Sequence, residues 1–270
     1  MGDANLKNDT IARQAYITGA SSGIGKAFAE RMAREGFDIT IIARRKQALA
    51  DIAEKIHSNT GRKVSILGAD LTRKQDLELV EKTIRQDDRL HLMVNNAGIG
   101  TEGAFNTLDI EKEQQMIRLN VEALLRLTHA ALASMVPRNR GAIINLSSVV
   151  GFFPIPYYAT YGATKAFVNS FTEALAEEFS SSNIKFQALC PGFTRTEFQQ
   201  QAGVDASRIP SFLWMEPEKV VDISLQTLKR DVVLCVPGFI NRMQSLLSGP
   251  LSRYTARRAM GLLGRKFILK

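Results

Sequence analysis

The chain has 270 residues, 45% of them apolar and 23% charged, with 35 basic against 27 acidic side chains, two cysteines and three histidines. This is a folded, globular composition that excludes a disordered, collagenous or coiled-coil chain, and its length suits one α/β domain. Two cysteines cannot build a disulfide framework; Cys190 and Cys235 each end an apolar run (FQALC, VVLC), as small buried residues of a reducing compartment do.

His57, His91 and His129 have no second His or Cys at ligand spacing, so no metal site is expected. The opening MGDANLKNDTI is too polar for a secretory signal or a membrane span, which makes the cytoplasm the expected location. The net charge of +8 is unevenly placed. From Val232 onward there is no Asp or Glu but seven basic residues: Arg242, Arg253, Arg257, Arg258, Arg265, Lys266 and Lys270. Taking those seven from the 35 basic groups leaves 28 against 27 acidic in the body, which is nearly neutral.

In chain order, short β-branched or apolar runs alternate with segments of helical period, the pattern of a parallel sheet covered on both faces. The first predicted strand, Ala15–Thr18, runs into Gly19-Ala-Ser-Ser-Gly23-Ile-Gly25 and a helix over Gly23–Glu35. A glycine-rich turn between strand and helix lets backbone N–H groups approach a pyrophosphate, marking Gly19, Ser21, Ser22, Gly23, Ile24 and Gly25 as a dinucleotide site.

A second strand over Asp38–Ala43 ends at Arg44-Arg45-Lys46, with no carboxylate between Asp38 and Asp51. An acidic residue there would favour a free ribose hydroxyl and an arginine a 2′-phosphate, so Arg44 and Arg45 predict NADP(H) over NAD(H). A helix over Lys46–Asn59, a strand over Val64–Ala69, a helix over Lys74–Gln86 and a strand over His91–Asn95 follow. A long helix is predicted over Lys112–Val136.

The strand Ala142–Leu146 leads to Ser147 and Ser148, and Tyr161 with Lys165 opens a helix over Tyr161–Ser181. Residues four apart share a helix face, so the lysine ammonium would stabilise a tyrosine phenolate and make it usable as an acid/base. Strands over Ile184–Cys190 and Val232–Val236 and a helix over Pro217–Lys229 complete seven strands. Residues 192–215 show no clear period and form a candidate functional loop.

Taken together these motifs resemble the short-chain dehydrogenase/reductase family in its NADP-dependent form, over roughly Arg13 to Val236. The resemblance rests on TGASSGIG (Thr18–Gly25), Asp70-Leu71, NNAG (Asn95–Gly98), Asn120, Ser148, Tyr161, Lys165 and Pro191-Gly192. It implies a Rossmann-like, doubly wound, seven-stranded parallel sheet in a single domain with a C-terminal extension over 237–270.

It also implies roles. Tyr161 exchanges the proton with the carbonyl or alcohol oxygen, Ser148 hydrogen-bonds that oxygen, Lys165 lowers the tyrosine pKa and holds the nicotinamide ribose, and Asn120 supports a water relay. Asp70 with Leu71 would meet the adenine, Asn96, Ala97 and Gly98 the adenine-side ribose region, and Pro191, Gly192, Thr194 and Thr196 the nicotinamide carboxamide. The sequence departs from many NADP-preferring relatives at Ser22, where they carry arginine, so phosphate recognition falls to Arg44 and Arg45.

Around the site, GFFPIPY (Gly151–Tyr157) and Phe193, Phe198, Phe212, Leu213, Trp214 and Met215 favour a lipophilic carbonyl or alcohol: 3-oxoacyl, steroid-like or related. The resemblance implies a homodimer or homotetramer through the two long helices. In the tail, Phe239, Ile240, Met243, Leu246 and Leu247 fall at helical spacing before Gly249-Pro250, and a second basic segment starts near Ser252. Such a tail suits peripheral contact with an anionic membrane or an acidic carrier, or packing over the substrate loop. A catalytically silent NADP(H)-binding or membrane-associated regulatory protein is the alternative; a specific nucleic-acid partner is not expected, since the charge sits in a short tail without an RNA-binding aromatic motif.

Overall fold

A seven-stranded sheet, parallel throughout, runs in the order β3-β2-β1-β4-β5-β6-β7; the computed structural model describes residues 13–203 and 209–246. β1 (Gln14–Thr18) leads to α1 (Gly23–Arg34), β2 (Asp38–Ala43) to α2 (Lys46–Thr60), β3 (Val64–Gly68) to α3 (Lys74–Arg85), and β4 (Leu90–Asn95) follows. Next come α4 (Ile110–Ile117), α5 (Leu124–Met135), β5 (Gly141–Leu146), α6 (Ala159–Glu178) and β6 (Ile184–Leu189). Then α7 (Phe198–Gln201), α8 (Pro217–Lys229), β7 (Leu234–Cys235) and α9 (Phe239–Leu246) complete the described chain.

Alternation along the strands feeds two cores, because successive side chains leave a strand on opposite faces. Ala15 and Ile17 point to a cluster with Phe28 of α1, Leu49 of α2 and Val220 of α8. Tyr16 points the other way, to Val80 and Ile84 of α3, Leu127 of α5 and Met93. Helices therefore cover both faces, and the sheet reverses its winding between β1 and β4. In such sheets the crevice beyond the strand C-termini at the reversal is where ligands bind.

Three predicted elements differ in a way that has a physical cause. The long helix expected over Lys112–Val136 starts at Ile110, where the Asp109 carboxylate accepts from Glu111 N–H, and is broken by a π-helical turn over Arg118–Ala123. β7 is only Leu234–Cys235: Asp231 turns at φ 56° and Val232 N–H is still bonded to Thr227 O of α8, so the chain joins the sheet late. Local order is present in the described parts of the predicted loop, 192–203 and 209–215. Phe193–Arg195 pairs with Met215 through Arg195 N–H to Met215 O and Met215 N–H to Phe193 O, both 3.0 Å, closing a neck below α7.

Cys190 and Cys235 are free and buried. The helical start of the basic extension is present as α9, while Leu247, Gly249-Pro250 and the segment from Ser252 lie outside the described residues. Among the described residues no helix is long and apolar enough to cross a membrane, and no cluster of His, Cys, Asp or Glu suits a metal.

Candidate active site

The cleft beyond β1 and β4 is a cavity of about 490 Å³. One wall is the turn after β1. Gly19 has φ +64°, a left-handed conformation that favours glycine, and a Cβ at Gly25 would collide with Asn96 Nδ2 and the Gly19 carbonyl oxygen. The turn is tied to the loop after β4: Thr18 Oγ1 accepts from Asn96 N–H and Ala97 N–H, both at 2.9 Å, and Asn96 Nδ2 donates to Thr18 O at 2.8 Å. At the start of α1, Ser22 is the N-cap yet its side chain makes no capping bond, so the first-turn N–H groups face the cleft without a side-chain acceptor.

Arg44 and Arg45 follow β2 at the same cleft, both exposed. Past the end of the neighbouring β3, Asp70 lines the cavity, but its carboxylate accepts from Thr72 N–H at 3.0 Å and Thr72 Oγ1 at 2.7 Å, holding the turn after β3.

At the far end, the extended backbone beyond β5 presents Ser148, whose Oγ accepts from Val150 N–H and donates weakly to Pro191 O at 3.5 Å. In α6 the buried residues Tyr161, Thr164, Lys165, Val168, Asn169 and Thr172 form one stripe, so Tyr161 and Lys165 both face inward from the first turns. Lys165 Nζ donates to Leu146 O at 2.8 Å and lies 5.6 Å from the Tyr161 ring centre. Asn120 stands one layer behind the cleft wall, on the π-helical turn. Its Oδ1 accepts from Ile99 N–H at 3.0 Å, its Nδ2 donates to Ile99 O at 2.9 Å and Thr164 Oγ1 at 3.2 Å, and both Asn120 Oδ1 and Lys165 Nζ lie close to Gly98. π-Helical turns occur often at functional positions.

The electrostatics differ from the expectation that Lys165 depresses the tyrosine. Burial pushes the Tyr161 phenol up to about 12, and a hydrogen bond with the Ser148 hydroxyl pulls it only partway back. The same burial pushes the Lys165 ammonium down to about 8. A low-dielectric pocket disfavours both charged forms. The protonated phenol is therefore the dominant form at neutral pH, the form that can give a proton to a carbonyl oxygen.

Of the residues singled out from sequence, Gly19, Ser21, Ser22, Gly23, Ile24, Arg44, Arg45, Asp70, Leu71, Asn96, Ala97, Gly98, Ser148, Tyr161, Lys165, Pro191, Gly192, Thr194 and Thr196 line this single cleft. Gly25 and Asn120 support its walls from behind. Phe198, marked in the sequence as part of the apolar lining, and two residues with no sequence signal, Asn241 and Tyr158, also reach the cleft. Phe198 of α7 lies against Tyr161 with ring centres 5.7 Å apart, and Asn241 of α9 reaches the cleft although it belongs to the segment read as tail. Tyr158 lines the cleft too; burial raises its pKa first, and a hydrogen bond to Glu102 second.

A dinucleotide turn at the sheet reversal and a buried Tyr–Lys pair beside a serine define an oxidoreductase site, and the short chain dehydrogenase family profile matches residues 13–206. The chain belongs to the short-chain dehydrogenase/reductase family, whose members act on CH–OH and C=O groups. It is 34% identical to a 7beta-hydroxysteroid dehydrogenase of Clostridium sardiniense, covering 88% of this chain and 85% of that one. It is 30% identical to very-long-chain 3-oxoacyl-CoA reductase-B of Danio rerio, covering 84% and 73%. Among solved structures, a short-chain dehydrogenase from Sphingobium yanoikuyae in complex with NADPH superposes with a TM-score of 0.81 at 40% identity, covering 87% of this chain and 92% of that one.

Proposed function

We propose that this protein is an NADP(H)-dependent oxidoreductase that interconverts a ketone and an alcohol on a lipophilic substrate, with Tyr161 as the acid/base. The observation that carries the reading is the cleft itself, where Tyr161, Ser148 and Lys165 stand at one end and Arg44 and Arg45 at the other. The residues fit the dinucleotide: the Gly19 turn leaves room for a pyrophosphate over the uncapped start of α1, and Arg44 and Arg45 supply charge for a 2′-phosphate. The relative from Sphingobium yanoikuyae was solved with NADPH, which supports the same choice here.

The nicotinamide, when bound, supplies or receives the hydride. Tyr161, protonated at neutral pH, gives its proton to the substrate oxygen in reduction and takes it back in oxidation. Ser148 donates a hydrogen bond to that oxygen and orients it. Lys165 places positive charge beside the phenolate as it forms, and Asn120, bonded to Ile99 and Thr164, fixes the wall behind the lysine. Phe198 covers the face of Tyr161 and limits water there.

Val149, Ile155, Phe193 and Leu213 make the substrate end apolar, in keeping with the steroid and 3-oxoacyl-CoA activities named for the relatives. The same reading includes a homodimer or homotetramer through α4, α5 and α6. Phe212 and Phe239, 72% and 79% exposed near this mouth, with the basic extension, suit contact with an anionic membrane or acidic carrier.

The test is NADPH oxidation with 3-oxoacyl thioesters, steroid ketones, quinones and small aldehydes, with Tyr161→Phe as control. Turnover of a bulky ketone by the wild type alone supports the reading; inactivity throughout, or equal activity of the variant, rejects it.

A further inference from the structure

The two arginines that follow β2 are not equivalent. Arg44 is exposed and, among the described residues, engages in no hydrogen bond or ion pair. Arg45 is already committed. Its guanidinium donates to Ser21 Oγ at 3.2 Å and 3.1 Å and to Ser21 O at 3.2 Å, and its Nη2 lies 3.0 Å from Glu197 Oε2.

Glu197 reaches Arg45 from the opposite lip of the cleft. It sits between two residues that touch the machinery: Thr196, whose methyl packs over Gly23 at the start of α1, and Phe198, whose ring lies against Tyr161. The Arg45–Glu197 pair thus joins the glycine turn to the substrate loop across the phosphate end of the cleft.

A phosphate monoester carries about −1.5 to −2 charges at neutral pH and binds arginine best through paired N–H donors. A carboxylate on Arg45 holds some of those donors and repels the incoming phosphate. The repulsion is moderated by solvent, since both side chains are 49% exposed. A ribose hydroxyl carries no charge and does not contend for Arg45.

Resting on the NADP(H) reading above, we propose that Glu197 is a cofactor-selecting residue: its carboxylate competes with the adenosine 2′-phosphate for Arg45 and narrows the preference that Arg44 and Arg45 create for the phosphorylated dinucleotide. Binding of that phosphate opens the pair and frees the turn carrying Phe198, whereas a dinucleotide without it leaves the pair closed.

The experiment is calorimetric titration of NADPH, NADH, adenosine 2′,5′-bisphosphate and AMP into the wild type, Glu197→Gln, Arg45→Gln and the double variant. Glu197→Gln is expected to tighten NADPH and the bisphosphate by about two- to fivefold, leave NADH and AMP unchanged, and lose its effect when Arg45 is also replaced. Unchanged affinities in Glu197→Gln, or the same gain without Arg45, would overturn the proposal while a wild-type preference for NADPH left the cofactor reading intact. A wild type that binds neither dinucleotide would overturn both.

Discussion

The two walls of the cleft are built on different principles. The dinucleotide wall is held by short side chains clasped to backbone and by close-packed glycines: the Thr18 hydroxyl and Asn96 amide bonds, the left-handed Gly19 and a Gly25 with no room for a Cβ leave few degrees of freedom. Beyond the backbone neck at Arg195 and Met215, the substrate wall is held by side chains on a loop: Phe193 against Trp214, Arg195 to Glu216, Phe198 on Tyr161, much of it partly exposed. A wall fixed by buried side-chain to backbone bonds and close-packed glycines allows few residue types. A wall fixed by exposed side chains can be resurfaced without disturbing the fold, and the proposed function places substrate choice there.

The sharpest test of that division lies at the seam, where Tyr161 belongs to both walls. Tyr161→Phe should lower kcat by at least about 10²- to 10⁴-fold while NADPH affinity by calorimetry stays within a factor of two, because only the proton-transferring atom is lost. Weaker cofactor binding in that variant would mean that the phenol holds the dinucleotide wall together.

On the dinucleotide wall, Gly25→Ala forces Asn96 and the Gly19 carbonyl apart. Unfolding in urea should show a loss of about 1–3 kcal/mol together with weaker NADPH binding.

Lys165→Met reverses the usual sign. The ammonium is pushed from 10.5 to about 8, so between those values the unfolded chain binds the proton that the folded one has lost. Stability due to this group therefore rises with pH across that window, and below it the folded state bears the full burden. The variant should gain on the order of 1–3 kcal/mol at pH 7, lose that slope between pH 8 and 10, and lose turnover. A less stable variant would show that the bond to Leu146 O outweighs the burial of charge.

The smallest effect on the fold belongs to the substrate wall. Phe198→Ala should cost no more than about 1.5 kcal/mol, yet change KM for bulky ketones several-fold with the NADPH affinity unmoved. A stability loss as large as that of Gly25→Ala would erase the contrast between the walls.

The same division governs what could be read from sequence. Glycines at fixed spacing after a strand, and a tyrosine four residues before a lysine, are local patterns with local geometric causes, so the placement of Gly19, Gly25, Tyr161 and Lys165 was legible. The Glu197–Arg45 pair, the Phe198–Tyr161 contact and Asn241 at the cleft join segments far apart in the chain, and no local period encodes them. The upward direction of the Tyr161 shift is not legible in the sequence for the same reason: spacing shows that a lysine is near, but only three-dimensional burial shows how strongly water is excluded from both.

A π-helical turn holds about one residue more than an α-helical turn, so side chains beyond Arg118–Ala123 are rotated by roughly 100° from where an unbroken helix would set them. The segment from Ile110 to Met135 behaves as a crankshaft: its first throw, α4, turns toward α6, and its second, α5, turns toward α3 and β4. Asn120 rides on the crank pin between them. Removing one residue there would straighten the shaft and force a choice between holding Ile99 and sealing the core with Leu127.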